Sequence, residues 1–217
     1  MIIDRDPYYT VNKLSNSRLS VVSALISGNS IQKAKKETLE FGRQLHQAVL
    51  QPELYALNLK LYPAAYEPFR YKVKALTDAC RKNKYLMYML IQPGCLKEHD
   101  HFFIHDRTGI ECKMKMDLGL HNVIGDLKTT DATTQEDFIA AAIAYDYHRQ
   151  GAFYIDGTGA DKFILFGISK KYPHRTFTWP VPDDLIEQGR ERYELLMDDY
   201  LKLLNDGVDF QNLMQAA

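Results

Sequence analysis

The spacing of apolar residues changes along this chain, from helical to alternating and back. The first stretch reads as helix. Leu14 to Ser27 follows polar residues at Asn12 and Ser15 that suit a helix start, and ends at Gly28-Asn29, a pair suited to a C-cap. Ile31 to Gln51 is built from helix formers, carries Ile31, Ala34, Leu39, Leu45 and Val49, and stops before Pro52. A further long helix is predicted over Tyr66 to Ile91, ended by Pro93-Gly94.

The period then shortens. His101 to His105 reads as extended, and Arg107-Thr108-Gly109 supplies a turn. From Ile110 to Leu118 the residues alternate: Cys112, Met114, Met116 and Leu118 point one way, and Glu111, Lys113, Lys115 and Asp117 the other. After His121-Asn122, Val123 to Thr129 reads as a third strand. Thr133 to Phe153 reads as a helix with Thr134 as N-cap and Asp137 three residues on. Lys162 to Ser169 is an apolar strand, another is expected around Phe177, and Asp184 to Asn205 is the final helix. Helices, three strands, helix, strand and helix predict an α/β fold with a mixed sheet.

Length and composition narrow the class. At roughly 150 residues per domain, 217 residues predict a single domain over 1–217, and no repeat or linker divides it. Its helical part covers about 12–92, its sheet core about 95–182 and its last helix about 184–206. Apolar residues at 46% and charged residues at 25% are ordinary for a globular chain. Three cysteines (Cys80, Cys95, Cys112) make no disulfide scaffold and suit a reducing compartment. No apolar run approaches the roughly 18 residues of a membrane span, and MIIDRDPYYT has no signal-peptide pattern. A cytoplasmic protein with no membrane partner is expected. A net charge of −1 excludes nucleic-acid binding by bulk positive charge but not by a local surface. Asn29 to Leu90 holds eleven Lys or Arg against five Asp or Glu; Asp183 to the end holds three against nine. Such runs are most often solvated faces.

The chemistry concentrates in ECKMKMDLGLHNVIGDLKTT, residues 111–130. Asp126 and Lys128 lie two apart on a strand and share a face. If this strand forms a hairpin with the one before it, Asp117 joins them. Two carboxylates held together repel unless a cation lies between them, and oxygen donors of this kind suit Mg²⁺ or Mn²⁺. A lysine beside a metal-bound water can orient it or take its proton. Glu111-Cys112-Lys113 has the same spacing as Asp126-Leu127-Lys128, and either pair alone reads equally as a surface ion pair. Context favours the second pair: Gly42 and His46 precede it on a helix, Thr129 and Thr130 end its strand, and Gln150 and Tyr154 follow at i, i+4.

Taken together, Gly42 and His46, Asp117, Gly125-Asp126-Leu127-Lys128-Thr129-Thr130, and Gln150 with Tyr154 resemble the motif series of the PD-(D/E)XK nucleases in their RecB-like branch. Leu14-Ser15-Asn16-Ser17 and Leu45 to Glu53 resemble the exodeoxyribonuclease VIII type of phage and prophage recombination modules. The resemblance runs from about residue 14 to 154. It implies a restriction-endonuclease-like core, a mixed central sheet flanked by helices, with N-terminal helical additions. It implies metal ligation by His46, Asp117, Asp126 and the backbone carbonyl of Leu127, water positioning by Lys128, and support of the site by Gln150 and Tyr154. The implied activity is a Mg²⁺- or Mn²⁺-dependent exonuclease on linear double-stranded DNA, in phage-type recombination or DNA end processing. A homo-oligomer and a single-strand annealing partner are implied by kinship alone.

Lys115, with Thr129 and Thr130, is a candidate DNA contact; solvated side chains are the plainer reading. With no cysteine after Cys112, no iron–sulfur cluster is expected. His99, His101 and His105 would share a face of an extended strand, as transition-metal ligands or as polar residues near a sheet edge. Tyr8, Tyr9, Tyr62, Tyr66 and Tyr71 could stack on bases, but packing explains such scattered aromatics as well. The alternatives to an exonuclease are a structure-specific endonuclease on the same fold, a DNA-binding module without turnover, and a metal-binding structural subunit of a phage assembly.

Overall fold

The computed structural model describes residues 7–30 and 35–210. Six helices precede the sheet: α1 (Asn16–Ile26), α2 (Lys36–Leu50), α3 (Pro52–Leu61), α4 (Pro63–Tyr66), α5 (Arg70–Cys80) and α6 (Lys84–Ile91). Strands β1 (Leu96–Ile104), β2 (Glu111–Leu120) and β3 (Val123–Thr130) follow, then α7 (Gln135–Ala144), α8 (Tyr147–Thr158), β4 (Lys162–Ser169), β5 (Thr176–Pro180) and α9 (Asp183–Asn205). The sheet runs β1-β2-β3-β4-β5, antiparallel except for the parallel pair β3–β4 that α7 and α8 connect. This is the expected α/β architecture, a mixed sheet flanked by helices.

Each face of the sheet has its own core. On one side, α1, α7, α8 and α9 pack on Ile124, Phe163, Leu165, Phe177 and Trp179. On the other, α2, α5 and α6 pack on Leu118, Leu120, Leu127, Ile164, Phe166 and Ile168. β4 therefore has both faces covered, which is why KFILFGIS is nearly all apolar. In α2, Phe41, Leu45 and Val49 form the buried stripe, each burial worth about 1.5–3 kcal/mol, and that stripe aims His46 at the sheet.

The predicted helices are shorter than their sequence patterns. The Tyr66 to Ile91 helix breaks at Arg81–Asn83, where the Asn83 side chain caps α6 by accepting from the Leu86 N–H at 3.0 Å. The Thr133 to Phe153 helix begins as expected, with Thr134 accepting from the Asp137 N–H at 3.1 Å. It ends at Tyr145, because Asp146 turns into the left-handed region (φ +58°) and α8 starts in a new direction. Pro52 ends α2 and also starts α3, a proline at N1 needing no N–H partner. Ile31 to Ala34 lie outside the described residues.

The larger correction concerns β2. Cys112, Met114 and Met116 join the core under α8 and α9, but Leu118 and Leu120 join the opposite one. The alternation changes layers at Asp117, and its neighbour across β1, Glu98, has φ +48°. The β2–β3 ladder pairs only Leu118–Leu120 with Val123–Gly125. Beyond it the Asp117 carboxylate replaces a backbone carbonyl, accepting from the Leu127 N–H at 2.7 Å. The two strands separate where the acidic residues lie.

Candidate active site

Asp117 and Asp126 are 7% and 3% exposed, and burying two carboxylates requires compensation on every oxygen. Asp126 Oδ1 accepts from Gln150 Nε2 at 2.6 Å, and Oδ2 pairs with Lys128 Nζ at 2.6 Å. Asp117 Oδ2 is held by Leu127 N–H, and Oδ1 lies 3.3 Å from His46 Nδ1. His46 Nε2 lies 3.0 Å from the Leu127 carbonyl oxygen, and its Nδ1 also lies 3.5 Å from Glu98 Oε1. The structure thus brings together His46, Asp117, Asp126, Leu127, Lys128 and Gln150.

Helix α8 braces this site. Gln150 reaches β3, and one turn later the Tyr154 hydroxyl donates to the Lys115 carbonyl of β2 at 3.1 Å. Tyr154 supports the strand, and Asp126 and Asp117 act electrostatically on its buried hydroxyl. The close approach depends on small residues: a Cβ on Gly151 would stand 2.6 Å from the Phe163 ring. Tyr147, at the start of α8, puts its ring 4.8 Å from Lys128 Nζ, a cation–π contact beside the lysine.

Burial and neighbouring charge set the protonation. Burial pushes the Asp126 carboxyl up and Asp117 adds to it; Lys128 opposes both, and the net is upward. Burial also pushes Asp117 up, but His46 and Lys128 outweigh it and hold this carboxyl below the ordinary range. For Lys128, burial pulls down and the two carboxylates push up further, so it stays protonated. Burial would lower the His46 imidazole, yet Asp117 and Glu98 hold it well above its usual range.

These donors fit a divalent cation. One donor atom each from His46, Glu98 and Asp117 lie within 4.8 Å of one another, and carboxylate oxygens with an imidazole suit a divalent ion. Glu98 is the residue that sequence reasoning missed. It lies in a polar run, Lys97 to Asp100, with no spacing to mark it, and it comes to the site at the position the β1–β2 ladder skips, between Lys97–Leu118 and His99–Met116.

Other candidates fall elsewhere. Lys115 Nζ pairs with Asp100 at 2.8 Å, and Thr130 Oγ1 accepts from the Ala132 N–H. Thr129 follows Lys128 on β3, opposite Ile168. The rival pair separates: Glu111 bonds Lys13, and Lys113 Nζ donates to the carbonyls of Tyr8 and Val11. His101 binds the Gly157 carbonyl and His105 binds Thr108 and Glu194, so they do not form a metal site with His99. Cys80 and Cys112 are buried, with thiols pushed up to about 12, too high for nucleophiles at neutral pH. Tyr66 is core at 2% exposure, whereas Tyr71 is exposed.

No helix among the described residues is long and apolar enough to cross a membrane. No curated protein matches the sequence. Among solved structures, a candidate exonuclease from Eubacterium rectale superposes with a TM-score of 0.68 at 18% identity, covering 91% of this chain and 83% of that one. A phage-related exonuclease from Haemophilus somnus 129PT matches with a TM-score of 0.48 at 11% identity, over 88% of this chain and 82% of that one. An alkaline exonuclease from Laribacter hongkongensis matches with a TM-score of 0.45 at 13% identity, over 97% and 96%. Of these three, the E. rectale protein shares the fold. The family model described as "PDDEXK-like domain of unknown function (DUF3799)" matches residues 22–210, most of the chain, and with it both splayed strands and their acidic residues. The chain belongs to that PDDEXK-like family.

Proposed function

We propose that this protein is a divalent-metal-dependent deoxyribonuclease that degrades linear double-stranded DNA from its ends. The observation that carries the reading is Asp126, held between Lys128 and Gln150 at 2.6 Å each, in the gap where β2 and β3 part beside Asp117 and His46. A structural ion pair needs no such convergence of two buried carboxylates, an imidazole and a carbonyl.

In this reading Asp117, Asp126, the Leu127 carbonyl and His46 hold Mg²⁺ or Mn²⁺, with Glu98 at its edge. When bound, the ion supplies positive charge against the phosphate and the departing oxygen. Lys128, paired with Asp126 at 2.6 Å, is placed to orient the attacking water. The water oxygen forms a bond to phosphorus as the P–O bond to the sugar breaks; solvent takes the water's proton and supplies one to the leaving oxygen. Gln150 and Tyr154 position Asp126 and β2 and are not expected to touch DNA. The name of the E. rectale protein, whose fold this chain shares, favours an exonuclease over an endonuclease. A homo-oligomer and a single-strand annealing partner extend the same kinship.

Digestion of an end-labelled linear duplex beside closed circular DNA, with Mg²⁺ and with EDTA, tests the activity. Loss of the linear DNA alone, in Mg²⁺ alone, is expected. Cutting of the circle would move the reading to an endonuclease, and DNA binding without hydrolysis in either metal would move it to a binding module.

A further inference from the structure

The turn from β4 to β5, Lys170 to Arg175, reads KKYPHR: two lysines, a histidine and an arginine without an acid. It leaves the sheet beside the strand that carries Lys128. Thr130 pairs with Ser169, and the Lys170 N–H donates to the Thr130 carbonyl at 2.8 Å. Lys128 and Thr130 are two residues apart, roughly 7 Å at about 3.3 Å per residue, so the turn begins next to the proposed cleavage site.

Below the turn lies a cavity of about 200 Å³ lined by Thr133, Thr134, Ser169, Lys171, Tyr172 and Arg175 among others. Hydroxyl and cationic groups share this lining with Pro173 and the Tyr172 ring. Among the described residues neither Lys171 nor Arg175 has a carboxylate within ion-pair distance; Arg175 reaches only the Thr133 carbonyl, at 3.4 Å. Asp131, at the rim, pairs with Lys170 at 2.9 Å, and its carboxyl is held below the usual range by Lys170, with Lys171 and Lys72 adding to the effect. Lys170 alone contacts this carboxylate, and Lys171 and Lys72 act on it at longer range, so positive charge is left over. Tyr172 stands out from this surface at 89% exposure, its ring centroid 6.3 Å from that of His174, edge-on.

The turn thus presents an aromatic ring in water between cations. It suits a single strand of nucleic acid, in which cations follow the phosphates and a ring stacks on a base face that pairing leaves open. We propose that this turn holds an unpaired DNA strand next to the cleavage site: Lys171 and Arg175 grip a backbone phosphate at the cavity, and Tyr172 stacks on a base of the same strand. The protein then prefers ends with a single-stranded tail to blunt ends. This rests on the nuclease reading and adds the form of the DNA end to it.

The test is fluorescence anisotropy with Lys128→Ala protein in Mg²⁺, using a blunt duplex and the same duplex with a short tail. The tailed duplex is expected to bind about tenfold more tightly. In that background Tyr172→Ala removes the difference and leaves blunt-end affinity unchanged, and Tyr172→Trp restores it. Lys171→Ala and Arg175→Ala combined reduce the dependence of log Kd on log salt by about 0.7 for the tailed DNA. A Tyr172→Ala protein with the wild-type melting temperature excludes a folding defect. Equal affinity for both ends, equal losses on both, or unchanged salt slopes would overturn the proposal while leaving the nuclease reading intact. Wild-type protein that cuts no DNA in the digestion assay would overturn both.

Discussion

His46 touches three of the oxygen donors in the site, the two carboxylates of Asp117 and Glu98 and the Leu127 carbonyl, and carries a proton because of the first two. A cation bound through His46, as proposed, must displace that proton. Cation affinity is therefore expected to rise with pH up to the raised His46 value and level off above it, with proton uptake or release read by calorimetry at neutral pH in two buffers of different ionisation heat. Binding with no proton released would remove His46 from the cation's ligands. A second expectation separates the metals: His46→Ala weakens Mn²⁺ more than Mg²⁺, since imidazole suits Mn²⁺ better, and equal losses in titration calorimetry would contradict it. His46, Asp117, Asp126, Lys128 and Gln150 were legible in the sequence because the motif series fixes their order. Glu98 and Tyr147 were not: each reaches the site through a backbone turn, at φ +48° and after φ +58°, that no spacing announces.

The elements matter through how closely they approach. Gly189 in α9 faces the backbone of α8, where a Cβ would stand 2.4 Å from the His148 carbonyl oxygen. A backbone obstacle cannot swing aside as a side chain can. Gly189→Ala is therefore expected to push the two helices apart at a cost of about 1–3 kcal/mol, seen as a lower melting temperature, and to weaken hydrolysis by moving Gln150. An unchanged melting temperature would mean that α8 is not held as described. Tyr154→Phe is milder: it loses one hydrogen bond to the Lys115 carbonyl, about 1 kcal/mol in chemical denaturation, and leaves cation affinity nearly intact. Cation affinity lost along with it would make Tyr154 more than a brace. The order of elements along the chain and the mixed sheet followed from periodicity. The change of layers at Asp117 did not, because alternation in sequence continues through Met116 and Leu118 while a carboxylate bonded to the next strand's N–H reverses the faces.

On the scale of the molecule, charge is arranged by region. The basic stretch from Asn29 to Leu90 supplies α2 and α5, with His46 and Lys72, on the side of the sheet opposite the acidic α9. That polarity was readable in composition, but not that Lys72 and the KKYPHR turn both act on the charge of Asp131, since the fold brings sequence-distant elements to one side. The central claim is that Asp126 and Lys128 belong to a hydrolytic site and not to a buried ion pair. Its most direct test measures Mn²⁺ binding and digestion of end-labelled linear DNA for wild type and Lys128→Ala side by side. The account predicts that Lys128→Ala binds Mn²⁺ as wild type does, and that only wild type shortens the DNA, with no cutting in EDTA. Digestion by Lys128→Ala at the wild-type rate would contradict it.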